Sequence, residues 1–388
     1  MMHPSNSASH ITDDNGQTSA DSRSQETVMR EKGQAGGIFL HAGWRSAGTW
    51  VWSRFRALQT VTAFYEPLHP ILADLRAADI PALEPTWTSG HPKLTAPYFT
   101  EYRPFIRDDL HGVVGYRKSF SADRFGPVAD AGFSTLQAYL KSLHDQTRKQ
   151  GKIPVFKFCR SLGRLPWLKD AFPEVMHAVV LRNPASQFAS GWLLHQQWSN
   201  PFFVAAPFRI LGLNQNEPIV KEVIEVCGVR LPPAPVTSID EYAAACEQFV
   251  RTVDGDNAYR AFIAVWMLSA MRSADEADLL VDVDRLGQSP DYASALRAQV
   301  RGQVAITPDF SAARDLVAQM KGNASLMKES TDARSNPFTP QHWVSWYRKE
   351  VHRDLGRTVL SSLRKSWCSL ENCQNSGATT DAGSFMVA

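Results

Sequence analysis

Several short stretches of this sequence carry residues suited to holding a phosphorylated ligand, and each lies where an apolar run ends. Gly43-Trp44-Arg45-Ser46-Ala47-Gly48-Thr49 follows the run Ile38-Phe39-Leu40-His41-Ala42. Its two glycines have the G-x-x-x-x-G spacing of a phosphate-binding loop. Such a loop, leading into a helix, turns backbone N–H groups toward an anion. Arg45 supplies a cation within it, and Ser46 and Thr49 add hydroxyl donors. Hydrogen bonds to charged groups contribute about 1.5–3 kcal/mol each. The Lys-Ser/Thr ending that serves nucleoside triphosphates and Mg²⁺ is replaced by Thr49-Trp50, which weakens an NTPase reading. The competing view is an ordinary strand-to-helix turn, capped by Thr49, with Arg45 in solvent. The other polar run-ends are Glu66, Lys157 to Arg160, and Arg182. An arginine so placed suits bidentate binding of phosphate. Asp282 and Asp284, two apart on an expected strand, share a face. They would hold Mg²⁺ in an NTPase, but the missing loop lysine argues against a metal.

The elements that must position these groups follow from hydrophobic pattern. Ile38–Ala42, Val61–Tyr65, Val155–Phe158, Ala178–Leu181 and Leu279–Val283 read as short buried strands. Helices are expected over 49–58, 132–149, 165–172, 184–198, 239–273, 290–302 and 341–365. Pro184 suits the first turn of its helix. Residues 67–125 are Pro-rich and irregular, and 200–237 form an insertion with the cluster Pro232-Pro233-Ala234-Pro235. Strands alternating with helices predict βαβ units and a central parallel sheet flanked by helices. In such sheets ligands bind beyond the C-terminal strand ends, where the polar residues above are found.

Composition narrows the class. The chain has 388 residues, 44% of them hydrophobic, and a formal net charge of +2. It is too apolar to be disordered throughout, and its charge balance gives no basis for a nucleic-acid partner. No run reaches the length of an integral membrane span. Five cysteines without a CxxC pair read as free thiols in a reducing, cytoplasmic setting. Residues 1–35 and 369–388 are expected to be flexible tails around a single domain over 36–368. Oligomeric state is not legible.

At this point a family resemblance enters. Gly43 to Trp50 resembles the 5′-phosphosulfate loop of sulfotransferases that use 3′-phosphoadenosine 5′-phosphosulfate (PAPS). Arg45 matches the family's basic residue, Ser46 its Ser, Thr49 its second Thr and Trp50 its Trp. Ala47 stands where Gly is usual, and Gly48 where Thr or Ser is usual. His177 to Trp192 resembles the 3′-phosphate element, with Arg182-Asn183-Pro184 ending the strand and Ser190 eight residues on. Phe156 to Arg160 resembles a third strand-end element. It keeps Lys157 but carries Cys159 where the cytosolic branch has a catalytic His. Glu66 resembles the general base of the glutamate-base branch, the branch this bacterial-type pattern is closest to, and His69 competes for that role. The resemblance implies a P-loop NTPase-like α/β core with helical and loop insertions. It further implies sulfuryl transfer to a small-molecule, lipid or glycan hydroxyl, with carbohydrate favoured, and no metal. Arg45 and Lys157 would stabilise the transferring group. A P-loop kinase or NTPase, and a non-catalytic nucleotide-binding protein of the same fold, are the alternatives.

Overall fold

The computed structural model describes residues 34–83, 91–106, 111–125, 132–236 and 238–316. The expected tails and the helix over 341–365 lie outside the described residues, apart from residues 34 and 35 of the first tail.

The five apolar runs form the five strands expected. Strand β1 (Ile38–Ala42) leads through the glycine-bounded loop to helix α1 (Gly48–Arg56), and β2 (Val61–Tyr65) follows. After an irregular stretch come α2 (Gly132–Lys149), β3 (Ile153–Phe158), α3 (Leu165–Ala171) and β4 (Met176–Leu181). Helix α4 (Pro184–Trp198) starts with Pro184 in its first turn and Asn183 as its cap, whose side chain accepts from the Ser186 N–H. All strand pairs are parallel, in the order β2-β3-β1-β4-β5. The chain leaves the central β1 toward β2 and β3 on one side, then crosses to β4 on the other. That reversal opens a crevice at the C-terminal end of β1.

Burial explains the strand sequences. All five residues of β1 are buried. Phe39 stacks on Phe156 at 5.0 Å and meets Phe158 and Phe172 edge-on or tilted. Each such side chain contributes roughly 1.5–3 kcal/mol by leaving water. The stretch after β2 is irregular, as expected, built of short 3₁₀ turns at Pro70–Ala73, Ile80–Ala82, Thr100–Phe105 and Lys118–Ser121. It is nevertheless anchored: Tyr98 stacks on Tyr65 at 4.3 Å, and Tyr102 meets Phe64 edge-on.

The insertion after α4, to which the sequence reading gave no elements, is largely helical. It contains α5 (Phe202–Leu213) and α6 (Pro218–Cys227). The helical run that follows is two helices, α7 (Ile239–Phe249) and α8 (Gly255–Glu276), with Asp254 capping the second. Helix α5 is apolar nearly all round, so it lies inside a second core with α6, α7 and α8. Prolines mislead here because Pro218 occupies a first turn and Pro207 lies within an otherwise buried helix. Strand β5 (Leu279–Asp282), α9 (Val283–Gln288) and α10 (Pro290–Val304) follow. Among the described residues no helix is long and apolar enough to cross a membrane.

Candidate active site

A cavity of about 860 Å³ opens at the C-terminal ends of β1, β2, β3 and β4. Its wall includes Arg45, Glu66, Lys157, Arg182 and Ser190 together with Ala47, Gly48, Thr49 and Trp50. Of the residues assigned to the donor or to catalysis, all but Ser46 line this cavity. The Ser46 hydroxyl donates to the Gly43 carbonyl at 2.7 Å and closes the loop on itself.

The loop end is built from backbone and guanidinium groups. Ala47 precedes α1 with no side-chain cap, so Thr49 is not the capping residue. Arg45 and Ala47 both adopt φ near +65°, a left-handed conformation costly for residues with a Cβ. Gly48 is required by packing instead. A Cβ there would stand 2.4 Å from the Ala42 Cβ. The two departures from the family loop thus have distinct consequences. Glycine occupies the position of close approach, and alanine bears the strained one.

Two guanidiniums converge beside this loop. Arg45 donates to the Ser190 hydroxyl from Nε at 3.2 Å and from Nη2 at 3.0 Å. Arg182 donates from Nη1 to the Arg45 carbonyl at 2.8 Å and from Nε to the Ser186 hydroxyl at 2.9 Å. Burial, and then the charge of Arg182, pull the Arg45 pKa down to about 10. Burial also lowers that of Arg182, against the attraction of Asp284. Two like charges held this close favour an anion between them. Trp50 and Arg54, one helical turn apart, continue this wall, with the Arg54 guanidinium 5.4 Å from the Trp50 ring. That i, i+4 spacing was available in the sequence, whereas nothing local marked Arg314, which also lines the cavity.

The opposite wall carries Glu66, which is 3% exposed. Lys157 Nζ donates to its Oε1 at 2.5 Å. The Cys159 backbone N–H and Arg160 Nη1 donate to Oε2 at 3.0 and 3.2 Å. Burial alone would raise the Glu66 pKa, but Lys157 and Arg160 overcome it and bring it to about 2. Lys157 also donates to the Cys159 sulfur at 2.9 Å and lies 4.7 Å from the Tyr65 ring centre. Burial lowers the Lys157 pKa, but Cys159 and Glu66 more than reverse this, so it rises well above the ordinary value. Burial and Glu66 push the Cys159 thiol up to about 12, which keeps it neutral and unlike a catalytic nucleophile.

The remaining candidates separate cleanly. His69 lines the cavity, but its Nδ1 accepts from the Ile71 N–H, and burial with Arg160 lowers its pKa to about 3. Its basicity is therefore nearly as low as that of ion-paired Glu66. His41 lies in the core, bonded to Ser161 at 2.7 Å and His177 at 3.1 Å. Of the tryptophans, Trp44 and Trp50 line the cavity. Trp52 is fully buried against Tyr65, and Trp167 packs on Phe133. Asp282 caps α9, and Asp284 accepts from the Asn183 N–H at 2.6 Å. Among the described residues no group of three or more His, Cys, Asp or Glu is placed to hold a metal ion.

No family model matches the chain, and no curated protein matches it. Among solved structures, the chain is similar to a crystal structure of a sulfotransferase from Alicyclobacillus acidocaldarius, at 14% identity and a TM-score of 0.31. The match covers 76% of this chain and 92% of that one.

Proposed function

We propose that this protein transfers a sulfuryl group from PAPS to a hydroxyl acceptor. The reading rests on one observation above the others. A phosphate-loop-like turn with Arg45, a strand-end Arg182, and a Lys157–Glu66 pair all face one cavity at the C-terminal end of a parallel sheet. The loop amides and Arg45 would hold the 5′-phosphosulfate, Arg182 and Ser190 the 3′-phosphate, and Trp50 the adenine.

The acceptor oxygen attacks sulfur, the bond from sulfur to the bridging oxygen breaks, and adenosine 3′,5′-bisphosphate leaves. The hydroxyl proton passes to Glu66. In the ion-paired state Glu66 is a weak base, since its pKa is about 2. Lys157 resolves this difficulty if it turns from Glu66 to the bridging oxygen when donor binds. Its cation then stabilises the leaving group, and the carboxylate it has left gains basicity. Base strength is thereby tied to donor occupancy.

The test is transfer of radiolabelled sulfur from PAPS to phenol, sterol and glycan acceptors, alongside calorimetric binding of adenosine 3′,5′-bisphosphate. Labelled ester above the no-enzyme control supports the reading, and failure of the bisphosphate to bind removes it. The low basicity of Glu66 favours one second reading, a non-catalytic nucleotide-binding protein. It predicts tight bisphosphate binding with no labelled product from any acceptor.

A further inference from the structure

The positive charge of the cavity exceeds what the donor needs. Its described lining carries seven Lys or Arg side chains against one carboxylate, Glu66. PAPS carries roughly four negative charges, counting a terminal phosphate at nearly two. The excess has a location. Lys157 meets Oε1 of Glu66 and lies beside the loop, its Cε 3.4 Å from where a Gly48 Cβ would stand. Arg160 meets the other carboxylate oxygen, and its guanidinium is flanked by the rings of Trp44 at 5.6 Å and Phe202 at 5.8 Å.

Arg160 is also incompletely satisfied. It is 2% exposed, it lines the cavity, and its Nε has no hydrogen-bond partner. A buried N–H of a charged group left without a partner is costly, so a ligand oxygen supplied to it is worth more than one offered in solvent. A second guanidinium supports it. It is that of Arg209 on α5. Burial, and then the charge of Arg160, lower its pKa to about 10, against the opposing pull of Cys246, Glu247 and Asp123. His69, within electrostatic reach of Arg160 and Glu66, is held neutral by burial and offers no competing charge.

We propose that the acceptor carries an anionic group of its own, a carboxylate or a sulfate ester, which binds Arg160 between Trp44 and Phe202 while its hydroxyl faces Glu66. This inference rests on the sulfuryl-transfer reading, because it assigns to the acceptor the part of the cavity the donor leaves open. The carboxylate of Glu66 spends one arm of Arg160, and the incoming anion takes the Nε side. Trp44 and Phe202 exclude water from that bond and so strengthen it.

The experiment uses the full chain loaded with adenosine 3′,5′-bisphosphate. Calorimetry compares matched hydroxyl compounds: 4-hydroxybenzoate with 4-hydroxybenzamide, a uronic-acid disaccharide with its carboxyl-reduced form, and a sulfated disaccharide with its unsulfated form. The expected result is that at least one anionic member binds about tenfold or more tightly than its neutral partner. The carboxylate and sulfate arms identify which anion is preferred. In Arg160→Gln the advantage should fall to about threefold or less while bisphosphate affinity stays within about twofold. Equal binding of every pair, including no binding at all, overturns the inference. So does an advantage that survives Arg160→Gln, or a loss of bisphosphate affinity in that variant, which would make Arg160 a donor ligand. If Arg160→Gln does not fold, Arg209→Gln decides: the advantage must drop by about threefold, and an unchanged ratio overturns the inference. Failure of the wild-type chain to bind bisphosphate instead removes the donor reading, so the two failures are distinct.

Discussion

The two walls of the cavity handle charge in opposite ways. At the loop wall, Arg45 and Arg182 stand close together and bond to hydroxyl and carbonyl oxygens. At the Glu66 wall, Lys157, Arg160 and a backbone N–H surround one carboxylate. The first arrangement sets two like charges side by side and gains from an incoming anion. The second ties two cations to one carboxylate inside the protein and keeps one positive charge in excess. Substitutions at the first wall should therefore register in donor binding, and loss of Lys157 at the second in folding.

The largest expected effect tests the second wall. Lys157→Met leaves Glu66 buried with half its compensation, and unfolding free energy in urea should fall by about 3–5 kcal/mol. A loss below about 1 kcal/mol would erase the contrast. The pH dependence sharpens it. Glu66 has a folded pKa of about 2 against an ordinary value of 4.5, so its contribution is present above pH 4.5 and is lost as pH falls from 4.5 toward 2. That contribution is roughly 3 kcal/mol at 1.4 kcal/mol per unit. Glu66→Gln should lack this acid-dependent step in urea melts taken across the same range.

At the loop wall the order of effects reverses. Arg182→Ala should weaken adenosine 3′,5′-bisphosphate about 10- to 100-fold by calorimetry, with unfolding free energy changed by about 1 kcal/mol or less. Gly48→Ala places a methyl 2.4 Å from the Ala42 Cβ and should cost about 1–3 kcal/mol in thermal unfolding, with weaker bisphosphate binding. The smallest effect is a gain. Ala47→Gly relieves a left-handed alanine at φ +65° and should stabilise by about 1 kcal/mol, leaving binding nearly unchanged.

The same contrast governs what the sequence disclosed. The loop wall was legible because its parts are local. Gly43 to Trp50 is one contiguous motif, and Arg182 and Ser190 lie on one strand-helix corner. The five strands were legible for a similar reason, as short apolar runs bounded by polar residues. The Glu66 wall was only half legible. Glu66, Lys157 and Arg160 could each be named, but nothing in their spacing revealed that one carboxylate bonds both cations, because that contact spans 91 and 94 residues. The weak basicity of Glu66 follows from that pairing and was equally hidden. The helices α5 and α6 were missed because their prolines resemble loop punctuation, while the second core that makes them helical is tertiary. The stranded Nε of Arg160 has no sequence signature at all.

Strand β3 alternates Phe156, Lys157 and Phe158, with Lys157 opposite Leu40 on one side and Tyr65 on the other. Its phenylalanines belong to the aromatic stack around Phe39, so the lysine lies on the other face. Slippage of this strand by a single step would drive an ammonium into the stack and turn a benzyl ring toward Glu66. The aromatic residues thus act as a proofreader of alignment: a chain cannot complete its interior without also bringing the lysine to the carboxylate, and a one-residue insertion in β3 would forfeit both at once.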